Sequence, residues 1–569
     1  MPVFFNGREW ITPATASVVD DSAMYNPNLS VGNVLAVIGP STGGQPLEPL
    51  TFGNPQDAAT ALGSGDLVDA IVRAFNPSPQ VTGPSKVVAV RVNPATPSVG
   101  VVKDATGNPV INLSSTDYGL RTAQTRWKIE AGSTSGFRVT TALGNNYYSG
   151  DNIGLSPLSV AYTGAGATPT ISVTDTTVTL AAGGTSTPID LTANPTVQAL
   201  VDQINAVPDF VAAVVGPNSN AAALNGLDAQ TNAVLSAAPL LLTANLQAVI
   251  TWFNSAADPL MTAARVDGAG TVPALSPFQF LTGGSDGITT TQQWQAAFTA
   301  LQKADVQWVL SASGDPAVHA MADAHCQFMS NVARMERRSF SGMPLGSTDA
   351  QALAETLQLN SDRSSLLHIG CYDYDVNGKL TLYPAYITAA FVAGGFAGLN
   401  PGQTMTNKVI SVRGLERLLQ NPTDTDPLIQ GGVLCVESTK KGYKVVKAIT
   451  TWQENSNFNR VEVSVGAVMD FVSRNVRDIL DDLRGDGGTP QLLADAVSRT
   501  DSTLALLSKA APAGPGCLVG DAQNPPFKNI TASLNGDVVA VQFQCSPVIP
   551  ANYILVTIYA VPYSGTASA

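Results

Sequence analysis

Two apolar runs near the start of the chain, NVLAVIG (33–39) and SKVVAVRVN (85–93), are bounded by Gly, Pro and Asn and are too short for helices, so they predict buried strands. Between them DAATAL (57–62) and DLVDAIVRAF (66–75) carry apolar residues at helical spacing. Strand, helices and strand together make a βαβ unit. The rhythm returns after TGGSDG (282–287): a helix around 291–303, strand VQWVLSA (306–312), helix 316–334, strand SFSGMP (339–344), helix 349–358 and strand SLLHIGCY (365–372). Such alternation predicts a largely parallel sheet with helices on its faces, built from two pieces of chain, 31–100 and 286–455.

The intervening stretch, 101–285, is rich in Gly, Thr and Ser and carries alternating strands such as RWKIEA (126–131), FRVTTA (137–142), TISVTD (170–175) and TVTLAA (177–182). Helical stretches near 195–206 and 240–256 interrupt it, and the whole reads as a β-rich insertion. AYITAAFVAGGFAGLN, between Pro384 and Pro401, is apolar all round. At about 16 residues it falls short of the roughly 20 that a membrane span needs, so it predicts a buried core helix whose small residues permit close packing.

The last part has a different pattern. Helices over 466–484 and around 489–508 precede ITASL, the pair Asn535-Gly536 and DVVAVQFQC, which predict an antiparallel hairpin with a type I′ turn. Residues 456–550 therefore form an α+β domain. In the closing ANYILVTIYAVPYSGTASA, Ile554, Val556, Ile558 and Ala560 make one face aliphatic, while Tyr553, Leu555, Thr557 and Tyr559 give the other a mixed character. A strand of that composition needs a sheet, and 551–569 reads as a C-terminal linking arm. Residues 1–30 place Phe4-Phe5, Trp10 and Ile11 among Pro, Asn and Asp without a helical period, which predicts an extended N-terminal arm. The fold class is thus α/β and α+β, multidomain: a split α/β core domain with a β-rich insertion, and an α+β C-terminal domain between extended arms.

At 569 residues the chain is too long for one core. Charged residues make up 13% against 44% hydrophobic ones, a balance that fits a subunit covered by copies of itself better than a free monomer. The net charge of −13, with no basic cluster longer than Arg337-Arg338 or Lys440-Lys441, argues against wrapping nucleic acid. Five cysteines (326, 371, 435, 517, 545) without CxxC spacing fit a reducing compartment. MPVFFNGREW lacks the pattern of a signal peptide, and no membrane insertion is expected.

Candidate chemistry is thin. The loop Gly39-Pro40-Ser41-Thr42-Gly43-Gly44-Gln45-Pro46 follows a strand with the glycine spacing of a phosphate cradle, but Gln45-Pro46 stands where the Lys-Ser/Thr pair belongs. His319 and His325 lie on one helix yet point to different sides, and no acid sits in metal-ligand register with them. Cys326 beside His325 does not face it, so no thiol nucleophile is predicted. Arg334, Arg337 and Arg338 offer an anion site, although ion pairs with Glu336 or other acidic neighbours are the simpler use. No enzyme activity, cofactor or metal is expected.

Three blocks carry a resemblance: DLVDAIVRAFNPSPQVTGPSKVVAVRVNPAT (66–96), LTLYPAYITAAFVAGGFAGLNPGQTMTNKVI (380–410), and GGVLCVESTKKGYKVVKAITTW (431–452) continuing to VEVSVGAVMDFVSRNVRDIL (461–480). In sequence and order they resemble the tail sheath proteins of contractile-tailed bacteriophages, over about half the chain. The resemblance implies a structural subunit that stacks as rings, hexameric in the family, in a helix around an inner tube. The sheath contracts from a metastable extended state and drives the tube through the host envelope for genome ejection. It implies as partners further copies of the chain, the tube protein, and baseplate and tail terminator proteins, with assembly in the host bacterial cytoplasm and residence in the virion tail. A headless contractile injection particle, a tailocin or secretion-type device, is the alternative within the same fold.

The family's arms add strands to sheets of neighbouring subunits. Carried over, this assigns Tyr553, Ile554, Leu555, Val556, Thr557, Ile558 and Tyr559 to a C-terminal linking strand and Val3, Phe4, Phe5, Trp10 and Ile11 to an N-terminal one. The hairpin bearing Val539, Val541 and Phe543 becomes the acceptor, and Pro547, Pro550 and the 562–565 segment the flanking hinges. The insertion is expected to face outward and the C-terminal domain to face the tube. On helix 466–484, Arg474, Arg477 and Arg484 lie opposite Val472, Val476, Ile479, Leu480 and Leu483. They are either tube-facing contacts or an ordinary solvated face with i,i+3 and i,i+4 pairs.

Overall fold

The computed structural model describes residues 34–165, 168–268, 270–563 and 565, and the backbone of two short strands at 3–5 and 8–10. Its central sheet has six strands in the order Ser364–Leu367, Arg338–Gly342, Trp308–Ser311, Val34–Gly39, Lys86–Arg91, Pro49–Phe52. The first five run parallel, and Pro49–Phe52 closes one edge antiparallel. Strands 34–39 and 308–311 are hydrogen-bonded neighbours although the insertion separates them in sequence. Parallel strands covered on both sides need apolar residues at nearly every position, which is why these read as unbroken runs. Leu35 and Val37 join the core under the helices Asp66–Phe75 and Ala385–Gly398, while Ala36 and Ile38 join the core under Thr291–Leu301 and Pro316–Asn331.

Ala385–Gly398 is buried along all but its last residue. A Cβ at Gly394 would strike the carbonyl of Ala74, so the helix approaches Asp66–Phe75 as closely as backbones allow. Among the described residues no helix is long and apolar enough to cross a membrane.

The run SLLHIGCY is two strands, not one. Ser364–Leu367 belongs to the central sheet and Cys371–Tyr374 to a separate three-stranded one. The break comes where His368 bonds Asp349 through Nε2 at 2.9 Å and the Gly370 amide donates to Glu416 Oε2 at 2.9 Å. The helical stretch expected over 240–256 begins as strand Leu240–Leu242; the helix runs only from Asn245 to Phe253. Asp228 sets that start by accepting the amides of Asn245 and Leu246 at 2.7 and 2.9 Å.

Along the chain, between the two segments that build the central sheet, come two nested bodies. Helix Asn245–Phe253 and strands within 99–153 and 261–280 enclose one core. Helix Val197–Asn205 and strands within 158–242 enclose a second, inserted into the first. Where the chain leaves the sheet and comes back, fully buried Arg91 donates to Gly44 O at 2.7 Å and to Asp286 Oδ1 at 3.1 Å. Asn93 donates to Ser41 O at 3.1 Å and to Asp286 O at 2.8 Å. Exit and return are therefore tied at one point.

In the C-terminal part, helices Val463–Asp481 and Pro490–Ser508 pack with the hairpin Phe527–Asn535/Val538–Cys545 around Val468, Phe471, Val472, Leu504 and Leu507. The hairpin loop is Gly536-Asp537, since Asn535 pairs with Val538. Only Gly536 has positive φ, +62°. That is the glycine-first pattern of a type II′ loop, not the type I′ pair Asn535-Gly536 that the sequence predicts.

Candidate assembly surface

After the hairpin the chain is still tied to the body. Ser546 N donates to Pro526 O at 2.8 Å, and Val548 N to Cys517 O at 3.0 Å. The ties end at Asn552. Beyond it lie Tyr553, Ile554, Leu555, Val556, Ile558 and Tyr559, each at least 75% exposed, with Thr557 exposed among them. The segment forms no strand, because among the described residues no ladder partner lies beside it. Its sequence has strand character and its surroundings supply no sheet.

The hairpin offers edges. Val539, Val541 and Phe543 are half-buried and turn toward the body, where Phe543 packs on the Val468–Leu507 core. The other face of the strand carries the exposed Val538, Ala540, Gln542 and Gln544. Among the described residues neither outer edge of this two-stranded sheet is paired, and an open edge is a template for a further strand.

At the N-terminus, Val3–Phe5 and Arg8–Trp10 pair antiparallel with each other, Val3 opposite Trp10 and Phe5 opposite Arg8. The expected arm thus contains a short hairpin of its own. Ile11 lies outside the described residues.

The arginines of the 463–481 helix do not form the outward stripe expected of them. Arg474 is only 7% exposed and donates to Asp305 Oδ1 at 2.9 Å and to the backbone carbonyl of Glu336. Arg477 donates to Glu336 Oε2 at 2.6 Å and to Arg334 O at 2.9 Å. Both serve ion pairs inside the chain, which leaves Arg474 buried and Arg477 partly exposed. On the same face Asp470 accepts from Arg338 Nε at 2.8 Å and Arg363 Nη1 at 2.6 Å. The polar stripe is a dock for the α/β domain. Arg484, whose side chain is 80% exposed, pairs with Asp481 at 2.6 Å in the i,i+3 relation and stays outward.

The glycine loop after strand 34–39 is filled by its own chain. The Thr42, Gly43 and Gly44 amides donate to Ser64 O, Leu62 O and Asp117 Oδ1 at 2.9, 2.8 and 2.8 Å. A Cβ at Gly43 would strike the Arg121 guanidinium. The loop's donors are thus committed internally, with a cation packed against it. His319 donates through Nε2 to Ser313 O at 2.8 Å and meets Glu355 through Nδ1. Cys326 is fully buried, and that burial pushes its thiol up to about 12, away from thiolate chemistry. Among the described residues no group of three or more His, Cys, Asp or Glu is placed to hold a metal ion.

No family model matches the chain. Its fold is that of the sheath tail proteins from Listeria innocua and Desulfitobacterium hafniense. The TM-scores are 0.58 and 0.54 at 13% and 14% identity, over 93% and 95% of this chain and 95% and 96% of theirs. In sequence it is 30% identical, over an alignment 600 positions long, to the tail sheath protein of Bacillus phage SP01, covering 99% of this chain and 98% of that one. The chain therefore belongs to the family of bacteriophage tail sheath proteins, and it is a structural subunit of a contractile tail sheath. The putative tail sheath protein of Enterococcus phage phiEF24C, 27% identical over 82% of this chain and 84% of that one, is a further relative.

Proposed function

We propose that copies of this chain polymerise as stacked rings around an inner tube, joined by their terminal arms, and that the lattice contracts to drive the tube through a host envelope. The observation that carries the reading is the juxtaposition of an exposed, apolar, unpaired segment, 553–559, with a hairpin that leaves two strand edges open. Each is what the other lacks. Pairing the segment of one subunit with the hairpin edge of the next is β-augmentation, and because donor and acceptor are different surfaces the contact is heterologous and propagates as a helix.

Main-chain hydrogen bonds at such a joint survive rigid-body movement when turns flank them, and Pro547 and Pro550 stand at the arm's root. Subunits rotate and move outward without separating. The extended lattice is then a kinetically trapped state whose free energy was stored at assembly, so no nucleotide or catalytic step is called for. The outward-facing insertion, the hexameric ring, assembly in the host cytoplasm, and docking to tube, baseplate and terminator proteins complete the reading.

Removing residues 551–569 is the direct test. The truncated chain should fold with a melting temperature within a few degrees of the full chain's and remain monomeric, while the full chain should form long hollow cylinders by negative-stain electron microscopy. Cylinders of normal length from the truncated chain would end the arm reading.

A further inference from the structure

The C-terminal arm hangs on one side chain. Among the described residues, apart from the local turn in which Asn552 N donates to Pro550 O at 3.0 Å, the hydrogen bond between 551–563 and the rest of the chain is Asn552 Nδ2 donating to Glu462 Oε1 at 2.7 Å. Glu462 is fully buried, and among the described residues its other oxygen, Oε2, has no hydrogen-bond partner. Lys447 Nζ, 3.4 Å from Oε1, forms an ion pair with it. The residue stands at the N-cap of Val463–Asp481, the helix that docks the C-terminal part on the α/β domain, and its backbone bridges Ile449. A groove of about 1550 Å³ is lined by Pro550–Ile554 together with Trp452, Phe458 and Glu462. The arm root therefore borders a cavity and is held to the body by a hydrogen bond to one buried carboxylate.

We infer that Glu462 is a positioning residue for the arm: by holding the Asn552 amide it fixes where, and in which direction, the linking strand leaves the subunit. The inference rests on the reading of 553–559 as an inter-subunit strand. A buried carboxylate suits the role. Burial raises its proton affinity, Lys447 and Asn552 oppose that rise, and an acceptor so poorly solvated binds a donor more firmly than an exposed one would. The geometry matters because the arm is a lever. Tyr553 to Tyr563, extended at roughly 3.3 Å per residue, reach about 36 Å, so small freedom at the root becomes a large volume swept at the tip. The effective concentration of the strand at a neighbour's edge falls as that volume grows.

The test uses the full chain with Cys545→Ser and spin labels at Thr557→Cys and Ser456→Cys, read by electron double resonance on the monomer and by the critical concentration for sheath assembly. Asn552→Ala should lower the melting temperature by no more than a few degrees, broaden the label distance distribution, and raise the critical concentration about tenfold, the equivalent of one hydrogen bond to a charged group. Asn552→Asp should do the same by setting two carboxylates together. Combining it with Glu462→Gln reverses donor and acceptor and should restore both readouts, which loss of generic packing would not allow. An unchanged distribution in Asn552→Ala, an unchanged critical concentration, or no rescue in the swapped pair overturns the inference. Deletion of 551–569 run alongside separates the two claims: if it polymerises normally the arm reading fails, whereas if it does not and Asn552→Ala behaves as the parent, only the anchor fails.

Discussion

The Nε2 of His325 lies 2.9 Å from Nη1 of Arg337, and because a guanidinium only donates, the imidazole must accept there and remain neutral. Burial and, after it, the Arg337 charge bring His325 down to about 3 from its ordinary 6.5. The unfolded chain therefore takes up a proton near pH 6.5 that the folded one refuses, so stability falls as pH drops from 6.5 toward 3. Between pH 6.5 and 5 this contribution is about 2 kcal/mol. His325→Gln keeps an acceptor and does not titrate, so the difference in urea-unfolding free energy between variant and parent should shift by that amount over the interval. An equal difference at both pH values would show that His325 already ionises in the fold. Comparing differences matters, because Asp323 and Glu462, raised by burial, act in the opposite direction and gain stability as pH falls through their folded values.

At the scale of elements, the helix Ala385–Gly398 was legible as a buried helix because every side of it is apolar, and length separated it from a membrane span. What could not be read was the partner that its glycines admit. Gly394 meets Ala74 of a helix more than three hundred residues earlier, and nothing local marks that contact. Gly394→Val should destabilise the monomer by about 3 kcal/mol or more through overpacking against a backbone that has no room to yield. Thermal unfolding measures this, and a melting temperature within a degree of the parent would mean that the two helices part at little cost. Strand Pro49–Phe52 escaped the sequence reading for a related reason: four residues at an antiparallel edge, only one of them fully buried, give too short a signal.

For the whole molecule, the interface between the α/β domain and the C-terminal part is an exchange of charges. Asp470 accepts from Arg338 and Arg363, and Glu336 accepts from Arg477 and pairs with Arg474. Asp470→Asn leaves Arg338, which is 5% exposed, without its counter-charge, and removing one partner of a buried pair costs about 3–5 kcal/mol. Scanning calorimetry should then resolve an early transition for the C-terminal part, whereas the parent should give a single transition. A single unshifted peak would mean that apolar contacts alone hold the two parts together.

The sequence by itself determined which stretches are regular and which are buried, because apolar periodicity reports local geometry: the parallel strands, the apolar helix and the β-rich texture of 101–285. The three sheath-like blocks also lay in the sequence, where they could be read directly. Tertiary structure alone decided which polar groups meet. A stripe of Arg and Asp on a helix looks the same whether it faces water, a tube or another domain, and only the fold, by placing Glu336 and Arg338 more than a hundred residues away beside it, turned it inward. The same holds at Glu462: ion pairing and hydrogen bonding across long sequence separations leave no period in the chain, so the anchor of the arm emerges only when its two ends are brought together in space.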